Sequence, residues 1–279
     1  MRRWFLAMLL SALALFAWAP LWMLLSGSLM GAEEVAGNLG PVLGDTEGSA
    51  VWPLLPLYPT LRPYVELLLD SPEFFTMFWN SCRQVAPVVA GQVLIGAPAA
   101  WAFAQLRFRG KKALFSLYIV LMLMPFQVTM VSSYLVLDGL GLLDTVWAVI
   151  LPGAVSTFPV FLMVRFFAAI PSALTEAAAL DGAGPLRTFL HVGLPLGAPG
   201  LLSAVVLGFL EYWNALEQPL TFLKDKTLWP LSLYLPTVTA DNAGVSLAAS
   251  VVMLLPALLI FLFGQKYLEQ GIAAAGLKD

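Results

Sequence analysis

Six stretches of this chain run for 20 residues or more without a single Asp, Glu, Lys or Arg, and five of them are clearly apolar. A helix that crosses about 30 Å of hydrocarbon needs about 20 mostly apolar residues. A sixth run, Thr188 to Leu210, carries several Gly and Pro residues in its first third. We expect that third to be a loop and the helix to run from about Ala198 to Gln218. The sequence therefore predicts an all-α, polytopic membrane protein with six transmembrane helices.

The composition excludes the other broad classes of protein. Only 11% of the 279 residues are charged and 60% are hydrophobic, whereas soluble domains carry about 25% charged residues. Disordered chains are poor in apolar residues, which excludes disorder. One Cys and one His leave no disulfide framework and no zinc site. The net charge of −3 gives no reason to expect nucleic acid as a partner.

We interpret residues 1–279 as one transmembrane domain. The expected spans are about 4–28, 77–106, 113–136, 145–167, 198–218 and 244–266. A long outer loop is expected at 31–75, and its turn at Tyr58–Tyr64 should lead into a short amphipathic helix. A loop at 169–196 is the longest on the other side. Pro125 is one of several prolines expected to kink or end a span.

Basic residues orient the spans. With the N-terminus in the cytoplasm, ten of the 14 Lys and Arg residues fall on the cytoplasmic side, as the positive-inside rule requires. The prediction is a multi-pass protein of a bacterial or archaeal cytoplasmic membrane with both termini cytoplasmic. The alternative for the first span is a signal peptide cleaved after Ala19. Pro20 and the unbroken apolar run to Leu25 favour an uncleaved helix.

The loop at 169–196 has the signals of two short helices. Ala and Leu fill the stretch from Ser172 to Asp181, with Ser172 as the expected N-cap. Gly182 is placed to end this helix in the left-handed conformation. Pro185 suits the first position of a second helix, which should end before Pro195.

This loop resembles the signature of permease subunits in binding-protein-dependent ABC importers. That signature is Glu-Ala-Ala, three residues, Gly, nine residues, an aliphatic residue, one residue and Leu-Pro. Every spacing is kept here, by Glu176-Ala177-Ala178, Gly182, Val192 and Leu194-Pro195.

Other segments resemble the carbohydrate-uptake branch, in particular subunits like the second permease of the maltose transporter. The matching segments are Phe78-Trp79-Asn80-Ser81, 102–110, Trp213-Asn214 and 270–278. The resemblance implies the fold of a type I ABC importer permease with a cytoplasmic coupling helix, Ser172 to Asp181.

The resemblance also implies a function. The chain would form half of the translocation pathway of an ATP-driven sugar importer, beside a homologous permease, two cytosolic ATPase subunits and an extracytoplasmic solute-binding protein. It has no phosphate-binding loop, so it is expected to be no enzyme and to bind no cofactor, with ATP and Mg on the ATPase subunits. We hypothesise that Glu176 makes a charged contact with the ATPase and that the adjacent alanines provide a close fit. The expected coupling residues are Glu176, Ala177, Ala178, Asp181, Gly182 and Pro195.

The candidates for the translocation path are Asn80, Glu211, Trp213 and Asn214. Glu211 is ionisable within a span, so it either serves transport or packs against water or a polar neighbour. Asn80 and Asn214 either line the path or join helices by hydrogen bonds. Trp213 either stacks on a sugar or anchors the span at the interface.

Two rival classes and one variant of the main class remain. A secondary transporter usually has several intramembrane acids or unwound helices, and it leaves the loop signature unexplained. A membrane enzyme has no recognisable active site here. Within the ABC importers, the solute is alternatively a polyol, a glycerol phosphate, an amino acid or another small solute.

Overall fold

The computed structural model describes residues 2–43, 49–234 and 242–276. Every regular element in these ranges is helical, so the prediction of an all-α fold is confirmed. The α-helices are α1 (Arg2–Gly27), α2 (Ala32–Leu43), α3 (Arg62–Leu69), α4 (Pro72–Gln105), α5 (Lys111–Met122), α6 (Phe126–Gly139), α7 (Trp147–Ala154), α8 (Thr157–Ala168), α9 (Ser172–Leu180), α10 (Pro185–Thr188), α11 (Leu194–Trp213), α12 (Glu217–Phe222) and α13 (Ala243–Gly276).

Five helical segments among the described residues are long and apolar enough to cross a membrane. They are Trp4–Gly27, Pro72–Gln105, Trp147–Ala168, Pro185–Trp213 and Ala243–Glu269. The pair α5 and α6 makes a sixth if it counts as one span.

The expected third span, 113–136, is not one continuous helix. Helices α5 and α6 meet at an angle of 103°. Pro125 precedes α6 in an extended conformation, with ψ at 149°. Proline has no N–H to continue a helix, and it pushes the preceding residue out of the helical region. The expectation that Pro125 kinks or ends a span is therefore confirmed.

The fifth span begins earlier than expected. A short second helix was expected to end before Pro195 and the span to start at about Ala198, but the chain is helical without a break from Pro185 to Trp213. A π-helical turn at Phe189–Gly193 joins α10 to α11, and the N–H of Leu194 donates to the carbonyl of Phe189. Such a turn shifts the hydrogen-bond register by one residue. The helix can thus continue into Pro195, which lies in the first turn of α11 and needs no donor there.

The segment expected to be a long outer loop contains two helices. Helix α2 and helix α3 both lie within residues 31–75, and α3 is the short amphipathic helix expected after Tyr58–Tyr64. Residues 49–61 are irregular, α4 begins at Pro72, and no structure is described for residues 44–48.

The chain divides into two compact units. The first comprises Met1–Thr76 with Tyr234–Pro256, and the second comprises Met77–Leu233 with Ala257–Asp279. In the first, Met30, Val35 and Ala243 form a buried apolar cluster.

The core of the second unit lies where α4, α8 and α11 meet. The ring of Trp101 on α4 packs edge-on against Phe167 on α8, with centroids 5.5 Å apart. Glycine allows the closest approach, because a Cβ on Gly193 would lie 2.8 Å from Trp101 Cζ3. The loop that contains α9 and α10 connects α8 to α11 at one end of this core.

Candidate functional site

Helix α9 forms where the sequence predicted a helix in the loop at 169–196. It begins at Ser172 and ends at Leu180. The N-cap position is held by Pro171, in an extended conformation, and no side chain caps the helix. The predicted N-cap, Ser172, is therefore the first helical residue, one position later. Proline before the helix fixes the chain direction at its start.

The end of α9 is a Schellman motif centred on Gly182. The N–H of Ala183 donates to the carbonyl of Ala178 at 2.9 Å, and the N–H of Gly182 donates to that of Ala179 at 3.1 Å. Gly182 has φ at +79°, the left-handed conformation that penalises a Cβ. This confirms the prediction made from Gly182. Pro185 lies in the first turn of α10, also as predicted.

Helix α9 presents its whole length to the surroundings. No residue of α9 is buried in this chain. Glu176 and Ala177 are exposed and Ala178 is half-buried. The Glu176 and Asp181 carboxylates form no hydrogen bond or ion pair with any residue in the described part of the chain. Nothing inside the described chain thus requires the acid at position 176.

The loop also exposes leucines that the sequence reading did not single out. Leu180 at the end of α9 is 90% exposed, and Leu186 is 69% exposed. Beside Leu186 lies an apolar groove of about 360 Å³, which Leu190 and His191 also line. Contiguous exposed apolar residues mark surfaces that meet a protein or a membrane. In the sequence, only their position beside the Glu-Ala-Ala motif could have indicated these leucines.

Asn80, a candidate for the translocation path, holds an irregular segment in place. Its side chain is buried, and its Nδ2 donates to the carbonyls of Thr227 at 2.6 Å and of Trp229 at 3.1 Å. Two neighbours on α4 do the same: Gln84 Nε2 donates to the Leu228 carbonyl, and Ser81 Oγ accepts the N–H of Leu231. We name residues 227–231 the clamped segment. This geometry favours the structural alternative for Asn80.

We expect Asn80→Ala to loosen the clamped segment. The substitution leaves two carbonyls without their donor, which costs about 1–3 kcal/mol of stability. A lower melting temperature of the purified protein and faster proteolysis near residue 227 would show it. Arg83→Ala, an exposed change on the same helix, is the control. An unchanged melting temperature combined with an altered solute preference would instead assign Asn80 to the path.

Asp144 holds the neighbouring part of the same loop, and the sequence reading missed it. Its Oδ1 accepts the N–H groups of Lys224 at 2.8 Å and Asp225 at 2.7 Å. Asp144 has φ at +59°, a conformation that Asp tolerates better than most residues. Thr227 donates to the Asp225 carboxylate at 2.9 Å and holds the pKa of that carboxyl below its usual value. An Asp in a tight turn was the only available sign.

The other three path candidates lie near the end of α11. Trp213 is buried and stacks on Phe209, with ring centroids 5.3 Å apart. Asn214 is exposed, and its Nδ2 donates to the Leu210 carbonyl at 2.8 Å. It therefore caps the helix that ends at Trp213.

Glu211 is an exposed path candidate on α11. Its side chain is exposed, and it makes no hydrogen bond or ion pair within the part of the chain that the structure describes. A carboxylate facing lipid inside a span costs several kcal/mol. Lipid is therefore an unfavourable neighbour for the ionised Glu211. Asn214 lies three positions along the same helix and shares that face.

Gln92 is a polar residue at a helix junction that the sequence reading missed. It is 2% exposed, and its Nε2 donates to the carbonyl of Gly153 at 3.1 Å. Its Oε1 has no hydrogen-bond partner in the structure and lies against Gly208. One amide thus links α4 to α7 beside α11. A single Gln within an apolar run of α4 was its only signal.

The pattern of a known transport family matches most of this region. The family is described as the binding-protein-dependent transport system inner membrane component, and its pattern matches residues 92–274. The chain belongs to this family. Membership makes it a membrane-embedded transport permease rather than an enzyme, as the sequence predicted. The matched range includes α9, α10 and the whole Glu-Ala-Ala signature.

Individual relatives match three quarters or more of this permease. It is 27% identical over 278 residues to the arabinooligosaccharides transport system permease protein AraQ of Halalkalibacterium halodurans, covering 99% of this chain and 96% of the relative. It is 31% identical over 231 residues to the probable ABC transporter permease protein PH1036 of Pyrococcus horikoshii, covering 80% and 83%. It is 29% identical over 219 residues to the diacetylchitobiose uptake system permease protein DasC of Streptomyces coelicolor, covering 75% and 78%.

A solved structure shares the fold of the permease. It is a bacterial ABC transporter involved in the import of the acidic polysaccharide alginate. The TM-score is 0.79 with 24% identity, and the match covers 94% of both chains. The predicted fold of an ABC importer permease is thereby confirmed.

Proposed function

We propose that this chain is one permease subunit of an ATP-driven carbohydrate importer and that α9 is its coupling helix. The observation that carries the proposal is that no residue of α9 is buried in the described chain, with Glu176 and Ala177 exposed. A helix that ends in a Schellman motif at Gly182, and of which no residue is buried among the described residues, suits insertion into a groove of another protein.

The leucines beside α9 extend this surface. Leu180 and the groove at Leu186 and Leu190 place apolar side chains around one acid. An apolar centre with a charge near it is the usual make-up of a protein–protein interface. In this proposal α9 enters a groove on a cytosolic ATPase subunit, and the ATPase pair binds the ATP and Mg. The α9 loop and both termini then lie on the cytoplasmic side.

The continuous helix from α10 into α11 provides a mechanical path. The chain is helical from Pro185 to Trp213, and α11 packs closely on α8 through Gly197 and Gly200. A displacement of the loop would move the end of α11 that carries Glu211. The coupling residue Pro195 lies on this path, in the first turn of α11, and Asp181 is the C-cap of α9.

The exposed Glu211 supports a second permease. Because its carboxylate has no partner in the described chain and lipid is unfavourable, we infer that it faces a water-filled path shared with another subunit. Asn214 lines the same path in this proposal. In this proposal the buried Trp213 packs behind the residues that line the path. Asn80 contributes indirectly, by holding the clamped segment in place.

The names of the relatives support a carbohydrate as the solute. AraQ is named for arabinooligosaccharides and DasC for diacetylchitobiose. We therefore propose an oligosaccharide, delivered by an extracytoplasmic solute-binding protein. A polyol or a glycerol phosphate is the alternative within the same class.

Uptake into proteoliposomes tests the proposal. The complex is purified with its partner subunits, and entry of arabino-oligosaccharides, diacetylchitobiose, glycerol phosphate and a polyol is measured with the cognate binding protein. We expect oligosaccharide uptake that requires ATP and is abolished by vanadate. Uptake of a polyol or glycerol phosphate alone would select the alternative solute. Uptake without ATP would overturn the importer mechanism.

A further inference from the structure

The outer loop contains an apolar segment that its own chain leaves uncovered. We name residues 51–61 the strap. It contains no charged residue, and the side chains of Leu54, Leu55 and Leu57 are 79%, 66% and 75% exposed. Large exposed apolar patches mark surfaces that meet a membrane or another protein.

Hydrogen bonds fix the strap to one end of the first span. The indole N–H of Trp22 donates to the carbonyl of Leu54 at 2.7 Å, and the N–H of Thr60 donates to the carbonyl of Leu29 at 2.8 Å. Trp52 reaches Ser26 in the same way, at 3.2 Å. The strap therefore lies beside the last two turns of α1.

The length of α1 fixes the depth of these contacts. Trp4 and Trp22 are separated by about 27 Å at 1.5 Å per residue, close to the roughly 30 Å of a hydrocarbon core. Tryptophans favour the two interfaces of a membrane. With Trp4 at one interface, Trp22 and the strap bonded to it lie at the other.

The strap continues the apolar surface of α1. None of the most apolar part of α1 is buried in this chain, and Leu21 and Leu25 are exposed next to Trp22. The chain belongs to an inner-membrane family, so lipid is the apolar phase that surrounds α1. The strap extends the same surface without an intervening charge.

Seven of the eleven strap residues either lack an N–H or have it hydrogen-bonded within the chain. Buried N–H groups without partners are costly in lipid. Three positions of the strap are proline and have no N–H. Four other N–H groups are bonded within the chain: Val51 to the Asn38 carbonyl, Leu57 and Tyr58 to the Glu34 carboxylate, and Thr60 to the Leu29 carbonyl.

We propose that the strap is an interfacial membrane anchor, with Leu54, Leu55 and Leu57 inserted among the acyl chains of the outer leaflet. It fixes the outer end of α1, and through Glu34 it fixes the start of α2. The partner is the lipid surface itself. This inference rests on the fold, the family and the proposed cytoplasmic position of the N-terminus, and it does not depend on the solute or on the coupling role of α9.

Fluorescence quenching tests the depth of the strap. Cys82→Ser removes the single native cysteine, and Leu55→Cys is then labelled with an NBD dye in the complete complex in nanodiscs of phosphatidylethanolamine and phosphatidylglycerol. We expect a blue-shifted emission, loss of fluorescence with doxyl-labelled lipid, and little loss with iodide. Leu57→Cys, labelled in the same way, provides a second variant if the first is produced poorly.

Two matched positions calibrate the measurement. Leu13→Cys in the middle of α1 reports the lipid limit, and Asp70→Cys at the exposed end of α3 reports the aqueous limit. Iodide quenching at Leu55 equal to that at Asp70 would overturn the proposal. Protection from both quenchers would also overturn it, because a protein partner would then cover the strap. Neither result would affect the uptake experiment.

Discussion

Replacing Glu176 with lysine is expected to abolish solute-stimulated ATP hydrolysis and uptake while the amount of the chain in the membrane stays normal. Glu176 makes no hydrogen bond or ion pair within the described chain, so the change leaves the fold of the permease intact. In the proposed complex the carboxylate enters an interface with the ATPase. Removing one partner of such a charge pair costs about 2–5 kcal/mol, roughly a 30-fold or larger loss of affinity.

The measurement compares ATP hydrolysis, uptake and co-purification of the ATPase in reconstituted complexes. Glu176→Gln keeps the shape of the side chain and should lose less than Glu176→Lys. Asp70→Lys is the matched control, because it makes the same charge change at an exposed helix C-terminus, where a cation is favourable. Normal stimulated hydrolysis and uptake in Glu176→Lys would refute the coupling role of Glu176.

The coupling loop was predictable because its signals are local. Gly182 ends α9 by its own backbone freedom, and Pro185 starts α10 because its fixed φ suits a first turn. Neither signal depends on tertiary contacts. The same holds for the break at Pro125, where a missing N–H acts on the residues next to it.

The start of the fifth span was not predictable by the same reasoning. The glycines and prolines before Ala198 favour a loop when each is considered alone. In the structure a π-helical turn at Phe189–Gly193 precedes Pro195 and lets the helix continue through it. The glycines allow close packing of this helix against its neighbours. Gly193 and Gly197 lie against Trp101 and Phe167. Such contacts join residues far apart in the chain, so a local pattern contains no trace of them.

The roles of the path candidates were hidden for a related reason. Asn80 was visible as a polar residue in a span, but its partners at Thr227 and Trp229 are about 150 positions away, with separations of 147 and 149. Glu211 was visible as an acid in a span, but its exposure depends on what α11 leaves uncovered. The sequence identified both residues and left both of their alternatives open.

The packing of α11 on α8 depends on the absence of a side chain at Gly200. A Cβ at this position would overlap the ring of Phe166, and it would lie 2.7 Å from the Cβ of Phe166. The Cβ of Phe166 belongs to the rigid base of that side chain and cannot rotate away. The two helices would have to separate, and α11 is the helix that connects the coupling loop to Glu211.

We therefore expect Gly200→Val to remove most of the folded permease from the membrane. Overpacking a close contact costs about 1–3 kcal/mol, occasionally more, and here the backbone of a span has to move. The measurement is the yield of monodisperse, detergent-purified complex and its melting temperature. Gly37→Val in α2 is the matched control, because a Cβ there meets nothing within 4 Å and the residue is exposed. Equal yield and melting temperature for the two variants would show that α8 and α11 do not need close contact at Gly200, and the proposed mechanical path through α11 would lose its support.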